Sequence, residues 1–354
     1  MKKPKPSRGT NLHLANKYLK LNHLVTADLN QDIEESEIPI TSKTKYIEVQ
    51  AKSMINQVTS PDLFMDYSLN PYQGCEHGCV YCYARPTHNY WGYSAADDFE
   101  NIILVKTNSI EVLKKELSAT KYEVKPIMLS GNTDCYQPAE RKFKITRDIL
   151  ELLLLWKHPV QIITKNALIL RDLDLLVELS KLNLCSIAIS ITAATDLTRR
   201  IMEPRASTIE SRLKIVKIFS ENKIPVHAMF APTIPGINES ELINMVKIAS
   251  ENGANSASYQ IVRLNGDLQA IFENFLTERL PARKDKVLNA IKSCHDGHLN
   301  DSRFGLRMKG NGNVTLIIRQ QFKLAYSKYF PNPQKIELRK DLFSPVINGQ
   351  LRIW

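Results

Sequence analysis

No apolar run in this chain of 354 residues approaches the length of about 18 that a membrane-spanning helix requires. The start, MKKPKPSRGT, is basic, but no apolar segment follows it, so a secretory signal is not expected. A reducing cytoplasm is then the expected compartment. Cysteine is scarce, with six residues: Cys75, Cys79, Cys82, Cys135, Cys185 and Cys294. In a reducing compartment such a set is not a disulfide framework, and clustered thiols there point to metal or redox chemistry. Acidic residues are missing from MKKPKPSRGTNLHLANKYLK. That arm either contacts a polyanion or is simply solvated.

The whole chain carries a net charge of +10 and a pI near 9.2. Its long-range field favours phosphate-bearing partners, although many basic proteins meet no nucleic acid. The length suits one large α/β domain with extensions. Residues 1–60 read as a polar, partly ordered extension with an acidic patch at Asp32, Glu34, Glu35 and Glu37. Residues 61–267 read as the core, and 268–354 as a mixed C-terminal segment packed on it.

Within the core, strands and helices alternate. FMDYSLNPY runs as a strand into the cysteines; NIILVKT (101–107) is a short strand, and the helix after it has Ser109 as its expected N-cap. Apolar strands at 126–131, 160–165, 185–192, 225–233 and 256–264 are separated by helices at 145–157, 170–182, 208–222 and 239–253, the last closed by Gly253. Such runs between amphipathic helices are parallel strands covered on their outer face. Six strands fall short of a full eight-fold barrel. A partial barrel and a doubly wound sheet both fit the pattern.

The chemistry concentrates in GCEHGCVYCYARP, where Cys75, Cys79 and Cys82 are spaced C-x3-C-x2-C. Structural zinc takes four ligands, so three cysteines are one short. His77, His88 or Cys135 would have to complete such a site, and the CxxC pairs of a zinc ribbon are absent. A cubane cluster accounts for the spacing better, with three irons held and the fourth open to a small molecule.

C-x3-C-x2-C after a first strand, with an aromatic before the third cysteine, resembles the radical S-adenosylmethionine superfamily. The longer stretches NPYQGCEHGCVYCYARPTH, SGNTDCYQPAER, ITKNALILRDLDLL, SITAATDLTRRIMEPRASTIESRL and APTIPGIN resemble a bacterial group within it related to spore photoproduct lyase, a DNA-repair enzyme. The resemblance implies an α/β partial (β/α)6 barrel, a [4Fe-4S] cluster on Cys75, Cys79 and Cys82, and S-adenosylmethionine on its free iron. It also implies an external reductant such as flavodoxin or ferredoxin. Tyr81 falls in the slot beside the adenine; Tyr81 and Tyr83 match tyrosines that relay a hydrogen atom. Ser130, Gly131, Asn132, Thr133 and Asp134 match the strand edge that meets the methionine amino group. Lys165, Ser190 and Ala231 match further cofactor contacts. Glu203 matches a ribose or carboxylate-network residue, and Arg205 a partner for the carboxylate. In the lyase a cysteine returns the hydrogen atom; the aligned position is Gly131, so Cys135 becomes the candidate donor and thymine-dimer reversal is placed in doubt. The resemblance thus implies a radical enzyme on an unassigned substrate, a nucleic acid or alternatively a small metabolite or peptide. A non-catalytic zinc module on nucleic acid is the remaining reading. The aromatic stretch Asn89-Tyr90-Trp91-Gly92-Tyr93 either grips bases or packs over the cysteine loop.

Overall fold

The computed structural model describes residues 8–12, 14–16, 44–333, 336–347 and 350–351. The strands are β1 (Lys45–Val49), β2 (Ile55–Gln57), β3 (Tyr67–Leu69), β4 (Tyr72–Gln73), β5 (Ile102–Lys106), β6 (Ile127–Leu129), β7 (Val160–Thr164), β8 (Cys185–Ser190), β9 (Val226–Thr233) and β10 (Ser256–Ile261). The helices are α1 (Asp98–Asn101), α2 (Ser109–Leu117), α3 (Glu140–Phe143), α4 (Ile145–Leu155), α5 (Leu173–Lys181), α6 (Asp196–Met202), α7 (Ile209–Glu221), α8 (Leu242–Glu251), α9 (Leu268–Arg279), α10 (Lys284–Ser293) and α11 (Asn313–Tyr329).

The large sheet has the order β10-β9-β8-β7-β6-β3-β2. From β3 to β10 every neighbour pair is parallel, and β2 is antiparallel on the edge. Strand order follows chain order without a reversal. A doubly wound sheet reverses direction at a switch point; this one does not, so it is the partial barrel of the two expected alternatives. Burial alternates along β7 and β8. The buried set, Val160, Ile162, Cys185, Ile187 and Ile189, packs in one core with Ile149, Leu150 and Leu153 of α4 and Leu176 and Leu179 of α5. The opposite set is half-buried and partly polar, with Gln161 beside Ser186, and His227 of β9 hydrogen-bonded to Ser256 (2.8 Å) and Ser258 (2.7 Å) of β10.

A second sheet, β1-β5-β4, takes in part of the first 60 residues, of which 8–12, 14–16 and 44–60 are described. β1 pairs with β5 in parallel, Tyr46 opposite Ile103, although KYIEV has no apolar run of its own. Its partner, not its periodicity, makes it a strand. The helix-start expectation also shifts by one residue. Asn108 is the cap residue and Ser109 the first residue of α2, because the Ser109 hydroxyl turns back to the Lys106 carbonyl. The Asn108 side chain instead ties the chain after β1, accepting from Ala51 N–H (2.8 Å) and donating to Ala51 C=O (3.0 Å). Gly253 does close α8, at φ +93°.

No helix among the described residues is long and apolar enough to cross a membrane. The partial barrel leaves a seam between its two edges. On one side Ile261 N–H donates to Met308 C=O (3.1 Å), laying the segment 303–309 beside β10. On the other, the loop between β2 and β3 supplies Asp62, which accepts from Gly305 N–H (2.7 Å) and Arg307 Nε (2.6 Å).

Candidate active site

The three cysteines ride on a loop whose feet are paired. β4 lies antiparallel to β5, Tyr72 opposite Val105 and Gln73 opposite Leu104. The chain leaves β4 at Gly74 (φ +82°), where a Cβ would stand 2.6 Å from the Ile102 carbonyl. Only glycine fits that conformation and that approach. Cys75 N–H then donates to Phe99 C=O (2.8 Å) and Val80 N–H to Met202 C=O (3.1 Å).

Arg85 fastens the loop from within. Its Nε donates to Cys79 C=O (2.9 Å), one Nη to Ala96 C=O (2.8 Å), and the other pairs with Glu100. Neither side chain has exposed surface. Burying this pair is costly, and the cost is met because nearly every donor has an acceptor. A short N-terminal strap lies on top. Gly9 N–H donates to Glu100 Oε2 (2.9 Å), and a Cβ on Gly9 would fall 1.8 Å from the Gly78 carbonyl. Further on, Leu14 N–H donates to Ser94 Oγ (3.2 Å) and Asn16 Nδ2 to Asn89 C=O (2.9 Å). Leu12 and Leu14 pack against the cluster of Cys79, Val80 and Tyr81.

One cavity gathers Cys75, Gly78, Cys79, Cys82, Phe99, Asn132, Thr133, Asp134 and Lys165. Burial pushes the Cys75 thiol up to about 12, and the Asp134 charge adds to it; Cys79 is raised by burial too, against the pull of Lys165. Such thiols stay neutral until a cation with several charges arrives. Among the described residues no three Cys, His, Asp or Glu side chains converge on one point as a single ion requires. Thiolates on one zinc stand about 3.8 Å apart, set by a bond of about 2.3 Å. Cysteines that share a cavity but do not converge fit a cluster in which each binds its own iron. The extra zinc ligands weighed above do not join them. His88 lies between Tyr93 (5.3 Å) and Phe99 (5.6 Å). His77 Nε2 accepts from Asn166 Nδ2 (2.9 Å), which leaves its Nδ1 proton facing Asp134 Oδ2 at 3.5 Å.

The strand ends deliver the other side of the cavity. Ser130 adopts φ +69°, its Oγ accepting from Cys135 N–H (2.6 Å). Asn70, which sequence reading missed, accepts from the backbone N–H groups of Asn132 (2.8 Å) and Thr133 (3.2 Å). Thr133 Oγ1 donates to Tyr72 C=O (2.5 Å). Tyr83, half exposed, donates to Gly131 C=O (2.6 Å). Asp134 accepts from Thr164 Oγ1 (2.7 Å) and Lys165 N–H (3.1 Å). The Lys165 ammonium has no hydrogen-bond or ion-pair partner among the described residues. Burial works against its charge, but Cys79, Asp134 and Glu203 outweigh burial and raise its pKa.

The remaining expected residues divide. Tyr81 is buried and donates to Glu203, whose oxygens also accept from Thr192 (2.7 Å) and Arg212. Glu203 is wholly enclosed and saturated, so it braces Tyr81 from behind rather than reaching a ligand. Arg205 reaches back to Glu76 (3.4 Å). Ser190 is buried at the end of β8, its carbonyl accepting from Arg212 (3.0 Å), and Ala231 is half-buried in β9. Cys135 has its side chain fully buried in the hydrophobic core under α4, directly after the cavity residue Asp134. Of the aromatic stretch, Tyr93 packs on His88, whereas Tyr90 (73% exposed) and Trp91 (43%) face outward. Arg85, Glu100, Arg212 and the strap gave no sign in the sequence, since each acts on a distant partner.

Comparison with known proteins agrees with this geometry. An uncharacterized protein of Mycobacterium tuberculosis is 32% identical over 212 residues, 58% of this chain; the match spans 62% of that relative's length. An uncharacterized protein of Methanocaldococcus jannaschii is 28% identical across 74% of this chain and 94% of its own. Among solved structures, a spore photoproduct lyase mutant covers 81% of this chain and 80% of its own at TM-score 0.59 and 14% identity. The lyase complexed with dinucleoside spore photoproduct superposes at TM-score 0.58 and 13% identity, over 81% and 80%. These share the fold. The sequence pattern of the Radical SAM superfamily matches residues 69–249, more than half of the chain and all of the cysteine loop. With three cysteines set around one cavity at the strand ends of a partial barrel, Cys75 and Cys79 buried and Cys82 half-buried, this chain belongs to the radical SAM superfamily and works with a [4Fe-4S] cluster and S-adenosylmethionine.

Proposed function

We propose that this radical SAM enzyme takes a hydrogen atom from a nucleic acid, in a lyase reaction of the DNA-repair type or an RNA modification. The observation that carries the reading is the fold shared along 81% of the chain with a lyase complexed with a dinucleoside lesion. The net charge of +10 supports it. When bound, the cluster and S-adenosylmethionine would together supply the one-electron chemistry that removes a hydrogen atom from the substrate.

Each residue then has a part. Cys75, Cys79 and Cys82 would hold the cluster. The segment Ser130–Asp134, latched by Asn70, brings Asn132, Thr133 and Asp134 to the cavity, and their oxygens are the acceptors for an ammonium. Lys165, charged and unpartnered, is the group that pairs with the carboxylate. Asp134 fixes the backbone of Lys165. Tyr81, braced by Glu203, backs the adenine with Ala231 and Ser190 nearby, and Tyr83 stands at the mouth as the hydrogen relay. Arg205 steadies the cysteine loop through Glu76. A small flavin or iron–sulfur protein supplies the electron.

The test uses anaerobically reconstituted, dithionite-reduced protein. Wild type should release 5′-deoxyadenosine, and Cys79→Ala should release none. Deuterated oligonucleotides should then pass deuterium into the 5′-deoxyadenosine. Deuterium from a peptide or metabolite pool, with none from any oligonucleotide, replaces the nucleic-acid reading with the alternative.

A further inference from the structure

The seam of the barrel carries side chains that neither the fold nor the cofactor cavity uses. Phe64, in the loop between β2 and β3, is completely exposed (103%). Across the seam Phe304 is 60% exposed, and the Arg307 guanidinium lies 4.5 Å from its ring centroid. Arg307 in turn holds Asp62 and Ser60, so the two aromatic rings are fastened to opposite sides of one clasp. Large rings are left in water at a cost, and monomeric proteins seldom cluster them without use.

The clasp continues toward the cavity. Arg263 lies two residues beyond the end of β10 and is half-buried. It lies within electrostatic reach of Tyr83, Asp62 and Arg307. Asp62 is already taken by Arg307, and Asp296 and Asp301 by Arg303. Arg263 has no hydrogen-bond or ion-pair partner among the described residues. Tyr83 is the neighbour of the cavity residue Cys82. A track therefore runs from the outside inward: Phe64, Phe304 with Arg307, Arg263, Tyr83, then the cysteines.

We infer that this seam is the entry groove for a nucleic-acid strand, with Phe64 and Phe304 stacking on bases and Arg263 receiving a backbone phosphate. The inference rests on the nucleic-acid reading above and adds the residues that would grip the polymer. A strand fits better than a free nucleotide because two rings on opposite banks need two bases. It also fits better than an acidic peptide, which has no use for stacking faces. Exposed aromatics on a basic track are a recurring means of holding unstacked bases.

The experiment measures fluorescence anisotropy of a labelled single-stranded oligonucleotide against the reconstituted holoenzyme over a salt series. Phe64→Ala and Phe304→Ala should each weaken binding by about ten-fold. Arg263→Gln should weaken it and reduce the slope of log affinity against log salt by about one. Iron content and thermal midpoint of each variant must match wild type. Phe64→Ala meets that condition by construction, since its ring touches water on all sides. Wild-type binding that all three variants retain would overturn the seam while leaving a nucleic-acid substrate standing. Absence of binding by wild type, to single or double strands, would sink both. Equal affinity for poly-glutamate would reduce the track to unspecific charge and refute base stacking.

Discussion

Glu203 sets the pattern at the scale of single residues. Burial alone would raise its carboxyl; the Arg212 guanidinium, then Lys165, then hydrogen bonds from Tyr81 and Arg212 reverse that and bring it down to about 2 from 4.5. Its contribution to stability is complete above pH 4.5 and is lost as pH falls toward about 2, because the unfolded chain takes the proton first. Glu203→Gln should cost on the order of 3 kcal/mol at neutral pH, since it strands Arg212 in the interior, and should flatten stability across that acid range. Urea midpoints against pH measure both. Cys135→Ala makes the opposite forecast: the side chain sits in the core, so stability should fall by about 1 kcal/mol while cofactor cleavage continues. Release of 5′-deoxyadenosine that continues while product formation with the true substrate stalls would make Cys135 the hydrogen donor. The cluster cysteines could be read from the sequence because their spacing is local. Arg212 and Asn70 could not, since what makes them matter lies 9 and 62 residues away.

Among the elements, the strap shows how a segment without pattern acquires a place. Residues 8–12 and 14–16 carry no helical or strand period, and Gly9 owes its position to Gly78 and Glu100, which lie far along the chain. Gly9→Val cannot keep that contact. The strap must lift, exposing the back of the cysteine loop to water and oxygen. The expected result is faster bleaching of the visible cluster absorbance in air, with an overpacking loss of about 1–3 kcal/mol in the cluster-free protein. Bleaching at the wild-type rate would show that the strap plays no protective part. The parallel strands were legible because each is an apolar run bounded by helices of clear period. β1 was not, because a half-exposed strand of five residues is defined by its neighbour β5.

On the scale of the molecule, four histidines, His77, His88 and His158 buried and His227 half-buried, govern the response to acid. Burial holds His77, His158 and His227 at about 4 and His88 at about 3, all below the ordinary 6.5. The unfolded chain accepts these protons near pH 6.5 while the fold refuses them. Stability should therefore be level above that pH and decline as pH drops toward 4, by up to roughly 1.4 kcal/mol per pH unit for each histidine. Denaturation midpoints of the cluster-free protein would check this, and a flat profile would contradict it. Six βα steps were countable in the sequence, but whether they wind once or twice was not, because winding is a property of strand order alone. The clasp between Asp62 and Arg307 joins positions 245 residues apart. A chain lengthening at about 5–20 residues per second needs roughly 10–50 s to travel from the first bank to the second. The three thiols follow the first bank by only 13 to 20 residues, so for most of that interval they are already made while no clasp yet spans the open edge, which leaves the side of the barrel open to iron and sulfide before translation ends.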